Sequence, residues 1–486
     1  MTTAPRSRWT LAIVSIALFM TALDNLVVGV ALPSIRVDLG GSIESLEWTV
    51  NAYTLAFAVL LITGAALGDR FGRKRMFVLG LGIFTTASAA AALAPSIDAL
   101  IAARAIQGLG AAIVLPLTLT LLSEAFPADR RGLALGIWAG VSGLGVALGP
   151  MVGGAVVEGI AWQWIFWLNV PIGIVLVPVA WARLTESRGP SRTLDLPGLA
   201  LAGTGLFGLT FGIVRATALG WTSATVMASI GGGVALLAAF LWWERRAPAP
   251  MLPLRFFRSR AFAATNGVSF AMFFGVFGSI FLLSQFFQTA QGYGPLEAGL
   301  RTLPWTGMPM IVAPIAGILS DRIGSRPLMA AGLALQSVAL AWLAVVSSPD
   351  TAYSSLVVPF VIAGTGMALV FAPSANAVLS AVRPQEAGQA SGATNAIREL
   401  GGVMGVAVLA SVFSAHGSYA TPQAFSDGVV AALPIGAAVL AAGALIALLV
   451  PGLKSRRVAE AATAAAAAAV PADTVAADAV AEPVAA

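Results

Sequence analysis

Long apolar segments separated by short polar turns repeat along nearly the whole chain. Fourteen of them reach about 20 residues, the length that crosses the hydrocarbon core of a bilayer as an α-helix. Two are interrupted by glycines, so the count falls to twelve or thirteen if 197–216 and 298–319 lie at a membrane surface or re-enter. The pattern predicts an all-α membrane protein with spans at 10–31, 48–68, 76–94, 99–122, 132–157, 162–182, 197–216, 223–243, 262–288, 298–319, 327–347, 354–380, 390–414 and 429–451.

The composition agrees with this prediction. Hydrophobic residues make up 58% of the chain and charged residues 10%, whereas soluble domains carry roughly 25% charged residues. The chain has no cysteine and a single histidine, His416, in a predicted outer loop. Disulfides and thiolate metal sites are therefore excluded, and no metal site is predicted. The sequence also offers no phosphate-binding loop and no nucleophile paired with histidine, which argues against an enzyme.

The first apolar segment follows Arg6 and Arg8. It is longer than the core of a secretory signal peptide, and no Ala-x-Ala cleavage pattern follows it. We therefore expect this segment to stay in the protein as its first span.

The formal net charge of +5 would suit a nucleic-acid binder, but the placement of the charges argues otherwise. Lys and Arg concentrate in the cytoplasmic loops of membrane proteins. With the amino terminus placed inside, all but five of the 27 Lys and Arg fall in inner segments. The exceptions are Arg36, Arg215 and Arg301 near outer ends, and Arg104 and Arg398 within spans. The charges predict a multi-pass protein of a bacterial plasma membrane with both termini cytoplasmic, and no nucleic-acid partner.

The fifth span carries an unusual array of glycines. Gly145, Gly149 and Gly153 recur every fourth residue, so on a helix they form a stripe without side chains that a partner helix can approach closely. Pro150 removes a backbone hydrogen bond to the carbonyl of Val146 and is expected to bend or loosen that turn. The array favours a hinge or a tight seal between moving parts, although ordinary small-residue helix packing gives the same pattern. Its members are Gly136, Gly145, Gly149, Pro150, Gly153 and Gly154.

A short turn pattern occurs twice, after the second and the tenth span. It reads Leu-Gly-Asp-Arg-Phe-Gly-Arg-Lys at 67–74 and Leu-Ser-Asp-Arg-Ile-Gly-Ser-Arg at 319–326. A helix end that carries a carboxylate and arginines can bind a neighbouring helix end and release it again. The alternative is a positively charged turn that only fixes the topology. We interpret both copies as a conformational latch made by Asp69, Arg70, Gly72 and Arg73 in one turn and by Asp321, Arg322 and Gly324 in the other.

The two copies point to a duplication. Parallel halves of six helices, with a binding site between them, are a recurrent plan of transporters. The sequence therefore predicts a six-helix half at 1–185, an inserted pair of spans with its linkers at 186–260, and a second six-helix half at 261–453. An alanine-rich, low-complexity tail follows at 454–486, and no transport role is assigned to it.

Two charged residues lie inside predicted spans at similar depths. An ionisable group in the hydrocarbon core costs roughly 2.5–3.5 kcal/mol on the insertion scale, so each one needs a reason. Asp24 and Arg104 both lie about 10 Å below the outer surface at a rise of 1.5 Å per residue. We hypothesise that Asp24 senses protonation or substrate charge and that Arg104 tunes it. A fixed ion pair that only orients two helices is the alternative.

The thirteenth span carries a second polar group of residues. Asn395 and Glu399 lie one turn apart on one helical face, and Arg398 lies on an adjacent face. Glu399 is a candidate second titratable or cation-binding group, or else its role is only to stabilise the structure by pairing with neighbouring residues. In the ninth span Phe270, Phe273, Phe274, Phe277 and Phe281 recur at helical spacing. These phenylalanines are compatible with a hydrophobic cavity wall and equally with lipid contact or packing.

These residues together resemble the major facilitator superfamily, and within it the fourteen-span drug:proton antiporters. The turn from Asp69 to Lys74 is similar to the superfamily's signature between spans 2 and 3, with Ala65 where glycine is usual. The glycine-proline array resembles the antiporter motif of span 5. Three further motif matches are Arg104, Gln107, Gly108 and Gly110 in span 4; Leu23, Asp24, Val27, Val28, Ala31, Leu32, Pro33 and Ile35 in span 1; and Trp162, Trp164, Ile165, Phe166, Asn169 and Pro171 in span 6.

The resemblance implies a major facilitator fold in which spans 1 and 4 line the cavity. It implies that Asp24, Arg104 and Gln107, with Asn395 and Glu399 in span 13, form the proton-coupling and substrate site. The implied function is proton-driven efflux of drugs or antibiotics by alternating access. Its implied partners are small-molecule cargo, protons and the lipid bilayer, with a monomeric protein and no cofactor beyond the proton gradient.

Two other functions stay open at this point. One is a dedicated exporter of a single metabolite or antibiotic that the cell makes itself, which shares every motif. The other is a proton-coupled uptake permease, against which the complete array in span 5 argues. The few acidic residues in the predicted cavity favour monovalent, zwitterionic or anionic cargo over multiply charged cations.

Overall fold

A computed structural model describes residues 4–40, 43–189, 195–248, 250 and 252–452. The predicted alanine-rich tail lies outside the described residues. Within them the chain forms sixteen α-helices and no β-strand. The helices are α1 (Ala4–Leu39), α2 (Ile43–Phe71), α3 (Arg73–Ala92), α4 (Ile97–Ala125), α5 (Ala128–Gly159), α6 (Trp164–Trp167), α7 (Asn169–Arg183), α8 (Leu196–Leu219), α9 (Ala224–Glu244), α10 (Arg260–Gln285), α11 (Pro295–Thr306), α12 (Met308–Ile323), α13 (Ser325–Val346), α14 (Tyr353–Ser380), α15 (Ala387–His416) and α16 (Pro422–Ala447).

These helices account for the predicted number of spans. Thirteen segments of the described residues are long and apolar enough to cross a membrane. Helix α5 adds a long apolar helix of 32 residues, which makes fourteen candidate crossings. Two of the crossings are interrupted helices, because α6 and α7 are separated at Leu168 and α11 and α12 at Gly307. The glycine-broken segments 197–216 and 298–319 of the sequence fall in α8 and in α11–α12, and both are among the thirteen candidate spans.

The surface of the bundle agrees with an environment of lipid. Large apolar side chains such as Val345, Leu445 and Ile315 are mostly exposed on its flanks. In a soluble protein so many exposed apolar side chains would cause aggregation, whereas in a bilayer they contact acyl chains. The protein is a multi-pass membrane protein.

Apolar packing is concentrated in separate groups of helices. One large cluster is formed mainly by α1–α5 and α7, and another by α10, α11 and α13–α16. Between these groups α5 packs along α11 and α12, and α2 packs against α15. The two contacts are equivalent if the halves are duplicated. The exact limits of the four predicted regions stay predictions.

The inserted helices α8 and α9 form a tight pair beside both groups. Their backbones approach closely, since a Cβ on Gly233 would lie 2.5 Å from the amide nitrogen of Leu209. The indole of Trp243 in α9 donates to Asp195, the residue before α8, at 2.8 Å. Helix α8 contacts both α2 and α15. The pair therefore braces the place where the two helical groups meet.

Candidate functional site

A cluster of fully buried polar side chains lies among α1, α3, α4 and α7. Its members are Asp24, Ser88, Arg104, Gln107 and Asn169, each no more than 1% exposed. Arg104 and Gln107 share one face of α4 because they are three residues apart. Asn169 is the first residue of α7, directly after the helix break at Leu168. Four separate helices thus bring their polar groups to one point.

The centre of this cluster is an ion pair. A guanidinium nitrogen of Arg104, Nη1, lies 2.6 Å from Oδ2 of Asp24. The Nε of Arg104 donates to the backbone carbonyl of Thr49 at 3.1 Å, and the guanidinium lies 4.3 Å from the ring centre of Tyr53. The pairing expected from the equal depths of Asp24 and Arg104 is thus present, while the role of the pair stays a prediction.

Two amide side chains complete the shell of Asp24. Gln107 and Asn169 each donate to Oδ1 of Asp24 at 2.8 Å. The same two amide nitrogens also donate to the hydroxyl oxygen of Ser88, at 2.6 Å and 3.0 Å. The carbonyl of Gln107 accepts from Arg104 at 2.6 Å. Asp24 therefore accepts three hydrogen bonds, from Arg104, Gln107 and Asn169.

Ser88 and Asn169 were not among the site residues predicted from the sequence. Asn169 did carry a signal, because it stands in the motif that matches span 6. Ser88 carried none, since it is one small residue among many in α3, and only the packing of α3 against α4 brings it beside Gln107.

The polar residues of α15 do not join this cluster. Asn395 is buried and donates to the backbone carbonyl of Ser391 at 3.0 Å. Arg398 is buried, donates to Ser374 at 3.0 Å, and lies 5.1 Å from the ring centre of Phe371. Glu399 is half-buried, and within the described residues it receives no hydrogen bond and forms no ion pair.

Glu399 nevertheless faces the first half of the protein. Its carboxylate interacts electrostatically with Tyr53 of α2, the residue that also covers the guanidinium of Arg104. The guanidinium of Arg398 also acts on this carboxylate electrostatically, but without a hydrogen bond or close ion pair in the described residues it is a group that a cationic ligand can satisfy. Tyr53 thus interacts with both the Asp24–Arg104 pair and the carboxylate of Glu399.

The phenylalanines of α10 divide between two roles. Phe273 and Phe274 are buried, and Phe273 stacks on Phe371 with 5.9 Å between ring centres. Phe277 and Phe281 are exposed at 36% and 40%, which fits contact with lipid or with a cavity. The series is therefore partly packing and partly a surface that can contact lipid.

The glycines of α5 allow neighbouring helices to pack closely on two of its faces. A Cβ on Gly145 would lie 3.0 Å from Ala22 and a Cβ on Gly153 3.2 Å from Val27, both in α1. On another face, a Cβ on Gly136 would lie 2.6 Å from the carbonyl oxygen of Ala313 in α12. Gly154 faces Leu296 of α11. The array therefore permits close packing on both sides of α5.

Gly149 and Pro150 are the two remaining members of the array. Gly149 is buried. Helix α5 continues through position 150, and the side chain of Pro150 lies outside the described residues. The close approach made possible by the glycines is the main structural property of the array.

The first of the duplicated turns is built around Arg73. Its guanidinium pairs with Asp69 at 2.7 Å, contacts Glu124 at the end of α4, and donates to the backbone carbonyl of Gln385 at 2.9 Å. Gln385 precedes α15, so Arg73 links the two helical groups. Gly72 has a φ of 111°, which other residues rarely adopt. Arg70 instead lies 5.0 Å from the ring centre of Phe71.

The second turn is built differently. Gly324 has a φ of 87° and matches Gly72. Asp321 accepts from Asn376 of α14 at 3.1 Å and lies against Gly132 of α5. Ser325 stands where Arg73 stands in the first turn, and Arg322 is exposed. The two predicted latch turns are therefore alike in backbone and differ at the position of Arg73, where the second turn has Ser325.

Two packed helical groups and a polar cluster at membrane depth are typical of a secondary transporter. The model of the Major Facilitator Superfamily matches residues 14–406. The chain belongs to this family, whose members are transporters rather than enzymes.

Relatives with known names are resistance and export proteins. The chain is 36% identical over 408 residues to the multidrug resistance protein Stp of Mycobacterium tuberculosis, covering 84% of this chain and 76% of that protein. It is 33% identical over 420 residues to the tetracenomycin C resistance and export protein of Streptomyces glaucescens, covering 86% and 78%. It is 33% identical over 449 residues to the methylenomycin A resistance protein of Streptomyces coelicolor, covering 91% and 92%.

The fold is also found among solved structures. The human organic anion transporter MFSD10 superimposes with a TM-score of 0.65 at 16% identity, covering 91% of this chain and 99% of that one. At this identity the match shows the major facilitator fold and nothing about cargo.

Proposed function

We propose that this protein is a proton-driven exporter of drugs or antibiotics that works by alternating access in a bacterial plasma membrane. The observation that carries the proposal is the fully buried pair of Asp24 and Arg104, 2.6 Å apart and enclosed by two amides. The relatives named for resistance to several drugs, to tetracenomycin C and to methylenomycin A support efflux as the direction of transport.

The proposed coupling step is protonation of Asp24. A proton on this carboxylate removes the charge that Arg104 pairs with, so the free energy that joins α1 to α4 decreases. Since proton binding favours the arrangement with the weaker pair, the balance between two conformations of the protein shifts. The proton gradient thus supplies the difference in free energy between the two directions of transport.

The contacts that change in this step are those between the helical groups. Ser391 of α15 donates to the carbonyl of Pro116 in α4 at 2.8 Å, and Arg73 donates to Gln385. Both contacts lie toward the end of the bundle that carries the duplicated turns. We propose that this is the cytoplasmic end and that these contacts close it.

Glu399 is the proposed group that recognises positive charge on a cargo molecule. It is half-buried and unpaired within the described residues, and it faces Tyr53 across the two helical groups. A cargo with one cationic group can satisfy this carboxylate, whereas a multiply charged cation would find few further acids.

The experiment measures export by purified protein in liposomes with and without a pH gradient. The proposal predicts uphill drug movement that stops when the gradient and the membrane potential are both collapsed. The variant Asp24→Asn is expected to bind the same drug and to lose uphill movement. Equal transport with and without the gradient would show that the coupling is not to protons.

A dedicated exporter of one antibiotic is the second candidate function. Two of the reported relatives are named for a single compound. Growth of a sensitive host that expresses the protein, tested against a panel of unrelated drugs and antibiotics, separates the two. Protection against one chemical class alone supports the dedicated exporter.

A further inference from the structure

The hydrogen bonds around Asp24 leave one acceptor in the cluster without a donor. The carbonyl oxygen of Asn169, Oδ1, is buried and has no hydrogen-bond partner among the described residues. The amide nitrogen of the same side chain has two partners, Asp24 and Ser88. Leaving a buried acceptor unsatisfied costs about 1–3 kcal/mol, so the arrangement needs a reason.

The other amide of the cluster is fixed in its orientation. The carbonyl of Gln107 accepts from Arg104 at 2.6 Å, so its nitrogen has to face Asp24 and Ser88. Asn169 has no comparable contact at its carbonyl. Of the two amides that touch Asp24, only Asn169 can therefore turn over without breaking a bond to Arg104.

The two protonation states of Asp24 place opposite demands on this amide. An ionised carboxylate only accepts hydrogen bonds, and it is satisfied by the nitrogen of Asn169. A protonated carboxyl group has a hydrogen to donate, and the nitrogen of Asn169 cannot accept it. Rotation of the amide by half a turn would present the unpartnered Oδ1 to this hydrogen.

Few other charges act on Asp24. Helix α1 packs against α2, α4, α5, α6 and α7. At this level α4 contributes Arg104 and α2 contributes Tyr53. The described parts of α5, α6 and α7 that lie beside Asp24 carry no acidic or basic side chain, and Glu399 acts electrostatically on the neighbouring Tyr53. The neutral amide of Asn169 is thus a main contributor to the relative free energies of ionised and protonated Asp24.

We propose that Asn169 is a positioning residue that holds Asp24 ionised through its amide nitrogen and accepts the proton-bearing form through its free carbonyl. The inference rests on the proposed function, because it describes the same proton site. Since Asn169 begins α7 at the break after Leu168, a turn of its amide occurs where one span is already interrupted. A change in the protonation of Asp24 in α1 is in this way transmitted to α7.

The test is infrared difference spectroscopy of purified protein titrated over pH. The carboxyl band of Asp24 is identified as the band that disappears in Asp24→Asn. In Asn169→Leu, which has the same branched shape and no polar atoms, the ionised form loses a donor. The variant also removes the acceptor for the protonated form, but the charge-assisted bond to the ionised form is the stronger of the two, so we expect the midpoint of the band to move to higher pH by about one unit. Asn169→Ser keeps a short hydroxyl and is expected to give a smaller shift in the same direction.

Thr85→Val is the matched control. Thr85 lies one turn before Ser88 on α3, and its hydroxyl bonds to the carbonyl of Leu81 in its own helix, so the midpoint should not move. An unchanged midpoint in both Asn169 variants would overturn the inference, as would the absence of any band sensitive to Asp24→Asn.

This result does not depend on transport. If the wild-type protein moves drug uphill in liposomes with the pH gradient and the membrane potential both collapsed, the proposed function fails while the infrared result still tests Asn169. If transport is proton-driven and the midpoint shifts, the pH of half-maximal export is expected to shift with it.

Discussion

Ser391 in α15 donates a hydrogen bond of 2.8 Å to the backbone carbonyl of Pro116 in α4. Both residues are buried, and each belongs to a different helical group. A buried hydrogen bond of this kind contributes about 0.5–1.5 kcal/mol. It therefore favours the conformation in which α4 and α15 touch at the end that carries Asp69.

Replacing Ser391 with alanine should weaken this closure. A loss of about 1 kcal/mol changes the ratio of the two conformations roughly fivefold. Spin-label distances between the ends of α4 and α15 measure the shift as a larger population at long distance. Ser414→Ala is the control, because Ser414 bonds only to Ala410 of its own helix in the described structure. Equal distance distributions in both variants would count against a role of Ser391 in closure.

Replacing Glu399 with glutamine should change cargo preference and leave the fold intact. The side chain is half-buried and has no hydrogen bond to lose within the described residues. We expect binding of monovalent cationic drugs to weaken about tenfold, which corresponds to about 1.4 kcal/mol, with neutral drugs unaffected. Tryptophan fluorescence titration in detergent measures both. Glu158→Gln, at the exposed end of α5, is the control, and equal losses for neutral and cationic drugs would contradict cation recognition.

Adding one methyl group at Gly136 should be far more harmful than at Gly159 of the same helix. A Cβ at Gly136 would lie 2.6 Å from the carbonyl oxygen of Ala313, and nothing lies within 4 Å of one at Gly159. Forcing α5 and α12 apart costs about 1–3 kcal/mol. Gly136→Ala is expected to lower the thermal unfolding midpoint and slow export, and Gly159→Ala to behave as wild type. Similar unfolding midpoints in the two variants would refute the interpretation that Gly136 allows α5 and α12 to form a tight seal.

The number of spans and the pairing of Asp24 with Arg104 could be anticipated because both follow from length and depth along a helix. Hydrophobic length predicts a crossing whatever it packs against, and equal depth limits which charges can meet. Contacts such as that of Asn169 with Ser88 could not be anticipated from the sequence, since they depend on how α7 is rotated against α3. The same holds for the latch: the sequence offered Arg70 and Arg73 alike, and only the folded turn shows that Arg73 reaches Gln385.

The contrast between these two arginines gives the last prediction. Arg73 is fully buried and binds Asp69, Glu124 and the carbonyl of Gln385, whereas Arg70 only covers Phe71. A lysine keeps the charge but cannot reach three partners at once. Export in liposomes should therefore fall more than about tenfold in Arg73→Lys, the loss expected for about 1.4 kcal/mol or more, and change little in Arg70→Lys. Because the chain has no cysteine, a single cysteine placed in the loop before α15 can report the closure directly. Faster labelling of that cysteine in Arg73→Lys alone would show that the turn holds the two helical groups together, and equal labelling in both variants would leave Arg73 as a residue of the first half only.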